Sequence, residues 1–213
     1  MDRFSSLTSI AVPLPQADID TDAILPAQFL LRLDRALGRF AFHAARQGAE
    51  PFVLDQPKYK GAQILVAGPR FGIGSSREHA IWALHDLGLR VLIAPSFGEI
   101  FQANAVRNGL LPINLGGEAH ARLLAAAEAR TPITVDLMAC TILIAGQPAL
   151  PFAIAAHDRE ALLEGLDETA RILSQHGAAI AAHEARQAQD SPWLDLSPAQ
   201  LAPFPTPAER PEA

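Results

Sequence analysis

Short apolar runs alternate with segments whose apolar residues recur at helical spacing through the middle of the chain. Residues 62–67 (AQILVA) and 91–94 (VLIA) have the length and continuity of buried strands, and 110–115 repeats the pattern. Between them, the glycine-rich stretch 68–74 leads to a helix expected to open at Ser75 and run to about Leu87. Residues 99–108 and 118–130 read as two further helices. Upstream, 7–12 reads as one strand closed by Pro13 and Pro15, 35–46 as a helix and 47–61 as loop. This alternation predicts an α/β fold, a mostly parallel sheet with covering helices. After Pro132 the texture changes to a C-terminal strand and helix segment. Residues 133–137, 141–144 and 150–154 read as strands, with Gly146 and Pro148 marking a tight turn, and 158–176 as a helix. Pro192, Pro198, Pro203, Pro205, Pro207 and Pro211 then punctuate the end. The expected organisation is one domain over 1–189 and a flexible Pro-rich tail over 190–213.

Composition narrows the function classes. With 213 residues, 49% hydrophobic and 19% charged, the chain can bury a core without staples and is not a disordered polymer. A net charge of −6 with scattered basic residues argues against nucleic acid as a partner. No apolar run approaches the ~20 residues of a membrane span, which argues against a membrane. The one cysteine, Cys140, excludes an internal disulfide, and no cysteine-rich zinc or iron–sulfur site can be built from this chain alone. Residues 1–15 lack the basic-then-apolar signature of a signal peptide, and a reducing cytoplasm fits.

The densest chemistry lies in Arg70-Phe71-Gly72-Ile73-Gly74-Ser75-Ser76-Arg77-Glu78-His79, where a strand ends and a helix is expected to begin. Gly72 and Gly74 permit close approaches that a Cβ forbids. Helix-start N–H groups, two hydroxyls and the planar fork of Arg77 suit a small carboxylate or phosphate. The same spacing, Ser75-x-x-Glu78, is also a capping box, so Ser75 reads equally as a helix cap. Nucleotide motifs do not fit: the third glycine of a dinucleotide fingerprint is replaced by Arg77, and no Gly-Lys-Ser/Thr occurs. His79 and His85 read as packing or surface residues of the following helix. A second cluster, Asp18-Ile19-Asp20-Thr21-Asp22, lacks the glycine and distal Glu of a calcium loop and reads alone as a solvated turn.

Taken together, the two segments are less anonymous. Asp20-Thr21-Asp22, Ile24, Pro26 and Gln28-Phe29-Leu30, followed by Gly72-x-Gly74-Ser75-Ser76-Arg77-Glu78-His79-Ala80, closely resemble the small-subunit family of 3-isopropylmalate dehydratases within the aconitase superfamily. Further matches run through Trp82-Ala83-Leu84, Ile93-Ala94-Pro95-Ser96-Phe97, Asn104, Leu110-Leu111-Pro112 and Gly165-Leu166-Asp167. The resemblance covers roughly residues 8–184.

It implies a swivelling β/β/α domain, active only with a large subunit that holds a [4Fe–4S] cluster; this chain would bind no cofactor or metal itself. The implied reaction interconverts 2-isopropylmalate and 3-isopropylmalate by dehydration and rehydration in leucine biosynthesis, an open iron site acting as Lewis acid. By this resemblance Ser75 is the base and Asp22 an active-site aspartate. Ser76 and Arg77, with the Gly74 backbone, grip the carboxylate of the dicarboxylic hydroxy acid, and Leu30 and Leu31 meet its alkyl branch. Ala27, Ile73 and Ile81 depart from the frequent lysine, cysteine and proline of the family. Another 2-alkylmalate, citramalate or a homoaconitate-like acid stays open as substrate, as does a non-catalytic small-acid binding module.

Overall fold

The stretch near the N-terminus that the sequence suggested as one strand divides at Ile10 into two strands that join different sheets. Strand β1 (Ser6–Ser9) is half-exposed, whereas β2 (Ala11–Leu14) is almost wholly buried. The computed structural model describes residues 1–31, 36–194 and Leu201. Strands β2, β3 (Ile64–Ala67), β4 (Val91–Ala94) and β5 (Leu111–Asn114) form a parallel sheet in that order. Its register aligns Ala11 with Ile64, Ile64 with Val91 and Val91 with Leu111. Pro13 lies inside β2 and does not close it. Both Pro13 and Pro112 sit on edge strands, where a missing N–H breaks no ladder bond.

Side chains of the central strands point alternately to two cores. Leu65, Ala67, Leu92 and Ala94 pack with Ala80, Ile81 and Leu84 of helix α3 (His79–Asp86) and with Ile24 of the short helix α1 (Thr21–Ile24). Ile64, Val66, Val91 and Ile93 face the other way. They pack with Leu123 and Ala127 of α5 (Gly117–Glu128) and with Ile133, Val135, Ile142 and Ile144. Those last four belong to β6 (Ile133–Asp136) and β7 (Thr141–Ile144). An antiparallel sheet of order β1-β6-β7-β8, with β8 at Leu150–Pro151, is therefore laid over one side of the parallel one. Helix α4 (Glu99–Arg107) contributes Phe101 to the first core and Val106 to the second.

Three helices differ from expectation. Residues 36–46 hold only a 3-10 turn, Gly38–Phe40, and one turn of α-helix, α2 (His43–Arg46); Arg35 lies outside the described residues. Phe42 between them takes a left-handed φ of 55° and donates its N–H to the Ile24 carbonyl, which breaks the helix for a tertiary bond. The helix expected over 158–176 is two, α6 (Ala156–Glu164) and α7 (Glu168–Asp190), separated by Gly165 in the left-handed conformation of a helix C-cap. The helix expected to open at Ser75 begins at His79. Residues 47–61 carry two 3-10 turns, Val53–Asp55 and Pro57–Tyr59.

The chain divides into two compact units, Met1–Glu168 and Thr169–Ala213. Helix α7, which belongs to the second from Thr169 on, buries no residue, and a 3-10 turn follows at Pro192–Leu194. Of the tail, Pro198, Pro203, Pro205, Pro207 and Pro211 lie outside the described residues. No helix of the described residues is long and apolar enough to cross a membrane.

Candidate active site

Past the C-terminal ends of β2, β3 and β4 the chain keeps pairing, and this places the glycine-rich turn. Gly68 donates to the Leu14 carbonyl, Gly72 to Ile19 and Thr21 to Ile73, so the segments after β2 and β3 run side by side to an isolated bridge at Asp20 and Ile73. On the other flank Phe71 donates to the Ser96 carbonyl and Gly98 to Phe71. Residues 71–73 are thus held from both sides before the chain turns out at Gly74. The buried His120 of α5 anchors the start of this segment, its Nε2 donating to the Ala67 carbonyl at 2.8 Å.

Two glycines make the turn possible. A Cβ on Gly72, at φ +73°, would lie 2.2 Å from the Phe101 ring, so α4 packs directly on bare backbone. Gly74 has φ +106°, a conformation that side chains strongly disfavour. The chain then reaches Ser75 in non-helical conformation, four residues before α3 starts. Glu78 occupies the N-cap of α3 without any side-chain capping bond. The capping box is therefore not formed, and the helix N-terminus begins at His79 rather than at Ser75.

Ser75 Oγ is instead the centre of a polar cluster. Arg77 Nε donates to it at 2.9 Å and the Arg77 backbone N–H at 3.4 Å, while the Thr21 hydroxyl lies 2.8 Å away. Arg77 Nη2 donates to Asp22 Oδ1 at 2.8 Å, so its guanidinium bridges the two sequence clusters. Ser75 is half-buried and Thr21 only 2% exposed. Ser76 is exposed, and its carbonyl accepts from Nδ2 of buried Asn104 at 3.2 Å. The Asn104 carbonyl takes the Asn108 amide, whose Oδ1 takes the Trp82 indole N–H, tying the turn into α4 and α3.

The three acids have separate partners. Asp18 pairs with Arg70 across the loops after β2 and β3, Asp20 caps α1 through the Ala23 N–H, and Asp22 holds Arg77. Among the described residues no group of three or more His, Cys, Asp or Glu could hold a metal. Cys140 lies in the β6–β7 turn with its thiol directed to the Leu137 carbonyl.

A hollow of about 620 Å³ opens beside Ser75 and Ser76, lined by residues 72–76 and 98–101. Its apolar wall comes from Ile73, Ile100 and Phe101. Neither Leu30 nor Leu31 lines it: Leu30 packs on the first core beside Phe29, and Leu31 is 93% exposed. His79 packs against Trp82, and His85 faces a different hollow with Asp86 and Arg107. The structure thus brings together Ser75, Ser76, Arg77, Gly74 and Asp22. Sequence reasoning gave no role to Thr21 or Asn104, although both stood in the matched segments. Nothing in a linear motif says that a threonine between two aspartates turns inward.

Residues 1–118 match the aconitase C-terminal domain, and 175–197 match the C-terminal domain of the 3-isopropylmalate dehydratase small subunit. The 3-isopropylmalate dehydratase small subunit of Paracoccus denitrificans is 44% identical, covering 91% of this chain and 100% of its own length. Those of Rhodospirillum centenum and Neisseria gonorrhoeae are 45% and 43% identical, each over 91% of this chain. The crystal structure of 3-isopropylmalate dehydratase from Methanocaldococcus jannaschii superposes with a TM-score of 0.63 at 26% identity. It covers 84% of this chain and 99% of that one.

Proposed function

Because the chain belongs to the family of 3-isopropylmalate dehydratase small subunits, we propose that it supplies the proton-transfer side of the dehydratase site, with Ser75 as the base. The activity is that of a hydro-lyase in leucine biosynthesis, and as a small subunit this chain works with a large one. The observation that carries the assignment is the setting of Ser75 Oγ: it caps no helix, and Arg77 and Thr21 surround it.

Dehydration of an alkylmalate needs a proton taken from carbon α to a carboxylate as the neighbouring hydroxide departs. Ser75 Oγ takes that proton, and the C–H electron pair becomes the alkene bond. Rehydration runs the same transfer backwards with the regiochemistry exchanged. A serine is a base only if its alkoxide is stabilised, and a guanidinium with fixed donors in a half-buried site does this. Asp22 holds the Arg77 fork in place. The remaining Arg77 N–H groups, the Ser76 hydroxyl and the Gly74 backbone take the substrate carboxylate. Leu30 and Leu31 are assigned to the alkyl branch, which they would meet in the assembled enzyme.

Iron–sulfur clusters are held chiefly by several thiolates, and this chain has one cysteine. Its residues do not fit such a cluster, so we assign the [4Fe–4S] group to the large subunit and the assembly to the cytoplasm. The test is hydrogen exchange from solvent into 3-isopropylmalate by the assembled enzyme. Ser75→Ala should lose exchange and turnover together; lost turnover with retained exchange puts the base elsewhere. A panel of 2-alkylmalates, citramalate and a homoaconitate-like acid should show the isopropyl substrate preferred.

A further inference from the structure

We propose that Thr21 is a positioning residue for the base: its hydroxyl reverses the direction of its hydrogen bond to Ser75 and so completes the donor set of the alkoxide. This rests on Ser75 being the base, as proposed above. The argument is an accounting of protons. A neutral serine hydroxyl has one proton and two lone pairs. Arg77 Nε and the Arg77 backbone N–H are donors only, and both point at Ser75 Oγ. With both lone pairs so used, the serine proton is directed to its remaining neighbour, Thr21 Oγ1, at 2.8 Å. Once Ser75 has lost its proton it has three lone pairs and no donor. Thr21 then turns its own hydroxyl hydrogen toward Ser75, and the alkoxide is held by three donors without movement of a heavy atom.

Thr21 is built for that purpose and for little else. Its N–H is bonded to the Ile73 carbonyl at 2.8 Å and its carbonyl to the Leu25 N–H, so the backbone is fixed at both ends. The side chain is buried and β-branched, which restricts χ1 while leaving the hydroxyl hydrogen free to rotate. The capping of α1 is done by Asp20, so the Thr21 hydroxyl has no helix-end role to explain its position.

The experiment measures kcat against pH for the enzyme assembled with its large subunit. Thr21→Val keeps the shape and removes the hydroxyl. It should lower kcat roughly a hundredfold to a thousandfold, the effect of losing one donor to a developing oxyanion. It should also move the rising limb of the profile to higher pH, because an alkoxide with one donor fewer is the stronger base. Thr21→Ser should restore both to within a few-fold. Thr21→Cys, a weaker donor of similar size, should lie between with the limb displaced the same way, and it decides the matter if the valine variant fails to assemble. An unmoved limb in Thr21→Val or Thr21→Cys overturns the proposal, as does a serine variant no better than the valine one. Ser75→Ala run in parallel separates the two assignments. If it stays active the base itself is misassigned; if it is dead while Thr21→Val has normal kcat and profile, only the role of Thr21 falls.

Discussion

Strands β3 and β4 are buried along their whole length, whereas β6 and β7 alternate buried residues with half-exposed and exposed ones. The parallel sheet is covered on both faces; the antiparallel sheet covers the other and turns one face to solvent. Direction makes the functional difference. Parallel strands all end at the same edge, so the segments after β2, β3 and β4 converge, and Thr21, Ser75 and the 98–101 wall meet there. Antiparallel strands end at alternate edges and are joined by tight turns. The β6–β7 turn is closed locally by the Ala139 N–H on Asp136 Oδ1, with Cys140 left-handed at φ 52°. Such a turn gathers no distant residues. One sheet assembles the candidate site, and the β6–β7 turn of the other joins neighbours along the chain.

The largest test of this division is Ser75→Ala in the assembled enzyme. Removing a general base should cost about 10²–10⁴-fold in kcat, roughly 3–5 kcal/mol, while thermal unfolding of the subunit barely changes. Near-normal kcat with a lowered melting temperature would return Ser75 to a structural role. The counterpart is Ile142→Ala, a fully buried truncation in the antiparallel sheet. It should lose about 2–5 kcal/mol of stability, read by urea unfolding, with kcat per assembled complex unchanged. A fall in kcat at full assembly would show that the second sheet reaches the chemistry.

Arg77→Lys sharpens the comparison at constant charge. An ammonium is a point charge and cannot serve Ser75 and Asp22 at once from the directions that Nε and Nη2 occupy. The loss of kcat/KM should be about 1.5–3 kcal/mol, or one to two decades, measured with subunit association checked separately. A loss below about threefold would falsify the bridging role. The smallest effect belongs to Asp20→Ala, which removes the cap of α1. It should cost about 0.5–2 kcal/mol of stability and lower kcat less than tenfold, since the N–H of Thr21 stays bonded to Ile73.

The sequence by itself determined the pieces whose signal is local. Residues 91–94 and 141–144 were legible as strands because a buried strand needs only a short run of apolar side chains bounded by polar or turn residues. The helices over 99–107 and 117–128 were legible nearly to their ends. The candidate turn stood out as well, because Gly-x-Gly-Ser-Ser-Arg at its offset from Asp-Thr-Asp is a dense and specific string. Tertiary structure decided whatever depended on a partner distant in sequence. The division at Ile10 follows from which neighbour each half pairs with, β6 or β3, and neither partner is named by the local pattern of SLTS or AVPL. Phe42 leaves helical conformation for the carbonyl of Ile24, and no pattern within 35–46 encodes that bond. Ser75-x-x-Glu78 satisfies the capping rule in one dimension. It fails in three because Gly74 turns the chain and the hydroxyl meets Thr21 and Arg77 instead. A hydroxyl bonds to whatever the fold places within about 3 Å of it, and 54 residues of chain separate Thr21 from Ser75.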